Sequence, residues 1–358
     1  MKRGSTKLAG FYRNGRSRWL ALLLLLLITL LIGPKPLLAQ TQNPAYWRHS
    51  APSRISHIIN DDFNQDGVDE FLIAAENGRI ELLNSVGDLQ WHYLSEGTVQ
   101  TIGALNLDGD DDLEIALAVD SQIVMLGNGS TVLWSKELQI FTPPRSLLAF
   151  DGTAEGQNWL NAYDVQVRQL AAFDHDGNGR DELLVLLSDG QLQLFDELGN
   201  IIWKDTESSY PLLNTQVLME VVDLNSDGRE EIALGFFNPT LRFSELRLIN
   251  GEQQDIWAER QPISDRISAI TVVPFGDEGQ PLLAVGSEGG QIHLINYNRQ
   301  REWWPRTLNK AVTALTVGEF MDEPLLIAGT EVGVVVAYQA NGSRWLDRKS
   351  TRLNSSHH

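Results

Sequence analysis

From about residue 56 onward the chain alternates short apolar runs with polar, glycine-containing breaks. The segments GRIELL, GQLQLF and GQIHLI place apolar side chains at every second position, the period of a half-buried strand. No window sustains the 3.6-residue period of a helix. The first stretch predicts four strands, over Ser56–Asn60, Glu70–Ala75, Arg79–Leu83 and Leu89–Tyr93. Asn77-Gly78, Asp189-Gly190 and Glu288-Gly289 fall where a two-residue hairpin turn needs positive φ.

The same unit recurs. An acidic, glycine-containing loop leads into a short apolar strand, a tight turn, an alternating strand, and a small polar turn that ends in Trp. Copies run Asp62–Trp91, Asn106–Trp134, Asp174–Trp203 and Asp223–Trp257. Two further copies, Pro274–Trp304 and Glu319–Trp345, keep the strands and lose most of the acids. The starts are 44, 68, 49, 51 and 45 residues apart. Four short strands per period in the forties predict an all-β fold, a β-propeller of about six to seven four-stranded blades. The Trp at the same place in each copy is expected to pack on the neighbouring blade. Trp47 lies 15 residues before Asp62, as Trp91 lies 15 before Asn106. It therefore reads as the end of a strand in another blade, the device by which one terminus closes a ring, with a seventh repeat expected beyond the six.

The loops carry the candidate chemistry. Asp62, Asn64, Asp66 and Glu70 stand at relative positions 1, 3, 5 and 9, with Gly67 at position 6 and the carbonyl of Val68 at position 7. Alternating oxygen side chains in a tight loop can converge on one hard cation, and a glycine permits the turn. The spacing returns as Asn106, Asp108, Asp110, Asp112 and Glu114, as Asp174, Asp176, Asn178, Arg180 and Glu182, and as Asp223, Asn225, Asp227, Arg229 and Glu231. Position 7 varies freely, as a backbone ligand would. Oxygen-only ligands favour Ca²⁺ over zinc or copper, and Mg²⁺ prefers fewer protein ligands. Asp/Asn/Gly clusters also make plain turns, but four in register with a structural repeat point to about four structural Ca²⁺ ions. Asp111 replaces the glycine in the second loop, which makes that site the weakest of the four on sequence. The fifth loop offers Pro274, Gly276, Glu278 and Leu282, and the sixth is shortened around Glu319 and Asp322, so neither is expected to bind. His175, at position 2 of the third loop, reads as a solvated side chain pointing away from the ion.

Composition sharpens this picture. Lys+Arg is 28 and Asp+Glu is 47, a formal charge of −19, which argues against nucleic acid or an anionic membrane surface as partner. There is no cysteine, so disulfides, thiolate zinc sites and a Cys nucleophile are excluded. Six basic residues precede an apolar run from Trp19 to Ile32, followed by Gly33-Pro34 and a small residue at Ala39. Residues 1–39 read as a secretory signal peptide, the run being short of the roughly 20 residues of a membrane span. Removing their seven basic groups leaves 21 − 47 = −26. Residues 40–347 form the propeller, and 348–358 read as an unstructured, artefactual tail. The expected location is secreted, periplasmic or cell-surface.

In their acidic loops, residues 47–347 resemble the FG-GAP/VCBS repeat family, the calcium-loop propellers also found in integrin α heads. The FG-GAP letters themselves are not intact. The resemblance implies Ca²⁺ bound between the first two strands of a blade, and a role in recognition or adhesion. The endings VGDLQW and LGNIIW are also similar to PQQ-type propeller repeats, the outer-membrane assembly scaffold among them.

Two places break the period: the long connection between Trp134 and Asp174, and Phe236–Ser244. Both connection types open opposite the acidic loops, so Phe141, Trp159, Tyr163, Phe237 and Arg242 are candidates for a ligand-binding surface. No catalytic constellation is visible, and the chain reads as a non-enzyme. The leading expectation is a calcium-binding propeller that binds an extracellular or envelope protein or a glycan. The extracytoplasmic sensor portion of a longer envelope protein, and a propeller enzyme (a polysaccharide lyase or a quinone-dependent dehydrogenase), are the alternatives.

Overall fold

The computed structural model describes residues 47–110, 112–138, 165–188, 190–205, 217–238, 243–257, 261–263, 265–300, 306–321 and 323–344. The signal-like segment, the tail, and the candidates Phe141, Trp159, Tyr163 and Arg242 lie outside the described residues. The chain divides into two units, Met1–Trp47 and Arg48–His358, and all the strands belong to the second.

Every described strand pairs antiparallel with its sequence neighbour, giving six successive sheets. Blade 1 is β1 (Ile55–Asp61), β2 (Glu70–Ala75), β3 (Arg79–Leu83) and β4 (Leu89–Leu94). Blade 2 is β5 (Val99–Leu105), β6 (Glu114–Val119), β7 (Gln122–Gly127) and β8 (Thr131–Glu137). Blade 3 holds β9 (Val167–Phe173), β10 (Glu182–Leu187), β11 (Leu192–Phe195) and β12 (Ile201–Asp205). Blade 4 holds β13 (Val217–Val222), β14 (Glu231–Asn238), β15 (Phe243–Ile249) and β16 (Gln261–Ile263). Blade 5 is β17 (Ile267–Val273), β18 (Leu282–Ser287), β19 (Gln291–Ile295) and β20 (Arg306–Thr307). Blade 6 shows β21 (Val312–Phe320), β22 (Glu323–Thr330) and β23 (Val335–Tyr338), followed by a single bridge from Tyr338 to Arg344. The boundaries predicted for blade 1 hold to within one residue at each end.

The second strand of each inner blade is buried on both faces, because neighbouring blades cover them. In β6, Ile115, Leu117 and Val119 pack with Leu72, Ile80 and Leu82 of blade 1. The alternate Ala116 and Ala118 pack with Leu183, Val185 and Leu187 of blade 3. Small residues on one face and large ones on the other let successive sheets interdigitate. The core is thus a series of interblade layers, and truncating one such leucine to Ala would cost about 2–5 kcal/mol.

The turns differ from expectation in detail. Gly78 (φ 82°) and Gly190 (φ 90°) are left-handed, but Asn77 is not. In blade 5 the left-handed residue is Gly290 (φ 78°), one position after the Glu288-Gly289 pair. Each glycine N–H returns to the carbonyl three residues back, Ala75, Leu187 and Ser287. The tight turn therefore spans four residues with glycine last, so one left-handed residue suffices where a type I′ two-residue turn needs two.

The exposure of β1 and β21 sets the terminal blades apart from the inner ones: Ile58 is 61% exposed and Val317 39%. Among the inner strands, β13 carries an acid, Glu220, between Leu218 and Val222 on the face turned to Ile270 and Val272 of blade 5. Burial alone pushes its carboxyl up to about 7. The folded state then holds a proton that the unfolded chain releases above about pH 4.5, so this group makes stability fall as pH rises from about 4.5 to about 7. Glu220→Gln is expected to flatten that part of the stability profile by up to about 2–3 kcal/mol, read from urea melts at pH 5 and pH 7.5. An unchanged slope would show that this carboxyl is already solvated in the folded protein.

Candidate metal loops and the blade junctions

The four acidic loops join the first and second strands of blades 1 to 4, and all are built on one template. The position-9 glutamate opens the second strand and is buried: Glu70 5%, Glu114 4%, Glu182 9% and Glu231 3% exposed. Its Oε2 accepts the backbone N–H of position 2, at 3.1 Å from Phe63, 2.9 Å from Leu107, 3.2 Å from His175 and 2.8 Å from Leu224. The position-1 carboxylates fold back over the turn. Asp62 accepts from the N–H groups of Asp66 and Gly67, Asp174 from Asn178 and Gly179, and Asp223 from Asp227 and Gly228. Position 3 accepts from the N–H of position 5, and position 5 from that of position 7.

Backbone conformation fits this wrapping. Position 6 is left-handed at Gly67, Gly179 and Gly228, as the sequence led one to expect. Position 4 is left-handed as well, at Gln65, Gly109, Gly177 and Ser226, and at Gln65 and Ser226 no residue preference had indicated it. Asp111, at position 6 of the second loop, lies outside the described residues.

The donor set suits a hard dication. In the second loop, carboxylate oxygens of Asp108, Asp110 and Glu114 lie within 4.8 Å of one another. Among the described residues this is the only such group of three acidic or histidine ligands, in the loop that looked weakest on sequence. In the first and fourth loops Asn64 and Asn225 turn their side-chain N–H groups to the position-9 glutamate, at 3.4 and 3.2 Å. A metal there would require those amides to present oxygen instead. In the third loop His175 Nδ1 sits 2.5 Å from Glu182 Oε2, so the expectation of a solvated His175 is corrected. Burial, then repulsion from Asp108 and Asp110, pushes the Glu114 carboxyl up to about 7. Burial, then Asp227 and Asp223, does the same for Glu231. Glu70 and Glu182 are also raised, chiefly by burial. The fifth loop instead forms a 3-10 turn over Asp277–Gly279. Phe237, the one ligand-surface candidate described, is half-buried in β14 with the Arg266 guanidinium 5.0 Å from its ring centroid.

The same face carries three ties between consecutive blades. First, the repeat Trp donates its indole N–H to the second residue of the next blade's third-to-fourth strand turn. Trp134 reaches the Glu197 carbonyl at 3.0 Å, Trp203 that of Gly251 at 3.1 Å, and Trp257 that of Tyr297 at 2.7 Å. The Trp134 ring lies so close to Gly199 that a Cβ there would come within 2.8 Å of it. Second, a position-8 carboxylate accepts the position-1 N–H of the preceding loop, Asp181 from Asn106 at 2.7 Å and Glu230 from Asp174 at 3.0 Å. Third, the position-7 arginine extends over the preceding loop, Arg180 above Gly109 and Arg229 above Gly177. The packing role expected of the Trp is thus observed, whereas the position-7 and position-8 ties were missed. Their sequence signal is an arginine followed by an acid before the position-9 glutamate (Arg180-Asp181, Arg229-Glu230).

Successive antiparallel sheets packed through shared interblade cores define a β-propeller. No protein-family model matches the sequence, and neither does any curated protein. Among solved structures the chain is similar to BBS1N, crystallised in complex with ARL6DN (14% identity, TM-score 0.55, 80% of this chain and 81% of that one). It is also similar to the Dos1 propeller (12%, TM-score 0.54, 82% and 70%) and to Sqt1 of Saccharomyces cerevisiae (13%, TM-score 0.54, 79% and 71%). These likenesses concern the fold.

Asp181→Leu, which imports the residue found at position 8 of blade 2, strands the Asn106 N–H. It is expected to cost about 1–3 kcal/mol, a fall of several degrees in thermal midpoint. A midpoint within a degree of wild type would show that water replaces the carboxylate.

Proposed function

We propose that this chain is an extracytoplasmic, calcium-stabilised β-propeller that works as a protein-binding module, with its acidic loops related to those of FG-GAP/VCBS repeats. The observation that carries the metal reading is the set of buried position-9 glutamates. Glu70, Glu114 and Glu231 are taken out of water beside further carboxylates, and their hydrogen bonds come only from amide N–H groups. A buried anion without a counter-charge is costly. A dication bound by positions 1, 3, 5 and 9 with the position-7 carbonyl supplies that charge, and four would move the processed chain from −26 to −18. In this reading the ion is structural: it holds the loop template against self-repulsion.

Support for a protein partner comes from the fold's use elsewhere, BBS1N having been crystallised in complex with ARL6DN. The net charge of −19 favours partners with basic surfaces and disfavours nucleic acid. Support for an extracytoplasmic location comes from residues 1–39 alone. Among the described residues no helix is long and apolar enough to cross a membrane.

Calcium titration tests the metal reading. Millimolar CaCl₂ is expected to raise the thermal midpoint by several degrees, since each site filled at a hundred times its Kd adds about 2.7 kcal/mol. Chelator should reverse the rise, and Glu114→Gln should lower the number of ions bound by one in isothermal titration calorimetry. No uptake and no shift in melting would overturn it.

A further inference from the structure

Among the described residues the junction between blades 1 and 2 lacks all three ties. Position 8 of the second loop is Leu113, so no carboxylate reaches back, and the Asp62 N–H bonds instead to its neighbour Asp61 at 2.9 Å. Position 7 is Asp112 where blades 3 and 4 carry arginine. Among the described residues the Trp91 indole N–H has no hydrogen-bond partner, although Trp91 occupies the register position of Trp134 and Trp203: Leu82 pairs with Trp91 as Met125 does with Trp134 and Leu194 with Trp203. The turn that should receive it differs. Blades 1, 3 and 4 open this turn with Asn84, Asp196 and Asn250, whose side chains accept two backbone N–H groups each. Blade 2 has Gly127 there, and a 3-10 turn over Asn128–Ser130 replaces the clamped one.

A cavity of about 660 Å³ opens where the ties are missing. Around the fourth loop, where Trp257 is latched to Tyr297, the cavity is about 140 Å³. The larger one has a deep apolar wall of Phe63, Leu82 and Ile115, with Trp91 beside it. Its other wall bears the carboxylates of Asp66, Glu70 and Asp112, and among the described residues no lysine, arginine or histidine lines it. Its volume falls in the range of about 300–1,000 Å³ usual for binding sites.

Three other junctions reveal what the unpartnered indole matches: at Trp134, Trp203 and Trp257 its counterpart is received by a peptide carbonyl. We propose that the cleft between blades 1 and 2 docks an extended segment of a partner protein. A main-chain carbonyl of that segment accepts the Trp91 N–H, an apolar side chain covers Phe63 and Leu82, and a lysine or arginine faces the acidic wall. Charge complementarity selects the occupant, because the lining repels acidic segments and the chain's net charge of −19 steers basic ones toward it. The proposal rests on the protein-binding reading for its class of partner; Asp66 and Glu70 of its acidic wall are also candidate ligands of the first metal loop, so calcium bound there would weaken the preference for a basic residue and leave the carbonyl and apolar contacts.

The probe is a positional-scanning array of blocked hexapeptides, with a neutral oligosaccharide array beside it, applied to the full chain with and without calcium. Wild type and Trp134→Phe should retain peptides that combine a basic with an apolar residue. Trp91→Phe, which keeps the ring and removes the N–H, should bind them about tenfold more weakly. Melting separates ligand loss from misfolding: Trp91→Phe loses no internal hydrogen bond and should melt with wild type, whereas Trp134→Phe should melt lower. Peptides retained equally well by Trp91→Phe would overturn this site and leave the protein-binding reading standing. Retention of acidic peptides, or of oligosaccharides alone, would overturn the proposed occupant. Retention of no peptide at all would overturn both readings.

Discussion

The second strand of each inner blade has no solvent face. Residues such as Ile115, Leu117 and Val119 bury against the blade before, and Ala116 and Ala118 against the blade after. A lone blade would leave both of those faces in water, at a cost of about 25 cal/mol for each Å² of apolar surface. Stability therefore resides in the junctions, and the Trp, position-7 and position-8 ties on the loop face act on them. An apolar layer worth several kcal/mol per large side chain sets the fold. The hydrogen bonds at its rim, each worth about 1 kcal/mol, set how tightly a given junction closes.

That difference in scale explains how one junction can differ from its neighbours without loss of the architecture. Between blades 2 and 3 the rim is sealed by Trp134, Asp181 and Arg180. Between blades 1 and 2, Trp91, Leu113 and Asp112 take those positions while the apolar layer from Leu72 to Leu126 continues beneath them. The rim there keeps lesser contacts, Leu113 N–H to the Phe63 carbonyl at 2.9 Å and Gln65 Nε2 to that of Asp110 at 3.3 Å. A cleft with an acidic wall can exist at that place because the layer below does not depend on the seal above.

The buried charges follow the same logic. Arg247 in β15 pairs with Asp205 at the end of β12 and with Asp255, so a charged tie also crosses from blade 4 to blade 3. That arginine is matched by two acids, whereas among the described residues the position-9 glutamates of the first, second and fourth loops meet no basic group. Burial, then repulsion from the neighbouring carboxylates, makes those glutamates hold their protons more tightly than in water, and the amide N–H bonds offset this only in part.

The strands of blade 1, the repeat and the loop register were legible because each depends on local pattern: alternation, turn residues, and acids at every second position. The glycine at position 6 was legible for the same reason. The position-4 turn was not, since Gln65 and Ser226 adopt a left-handed conformation that their residue type does not announce. The environment of His175 also escaped, because its neighbour Glu182 is seven residues away and meets it only when the loop closes. What the sequence determined by itself is the unit and its repetition, through short-range stereochemistry and hydrophobic period. What the tertiary structure decided is which units seal against one another, because Trp91, Leu113 and Gly127 act on residues of an adjacent blade, and only packing brings those within reach.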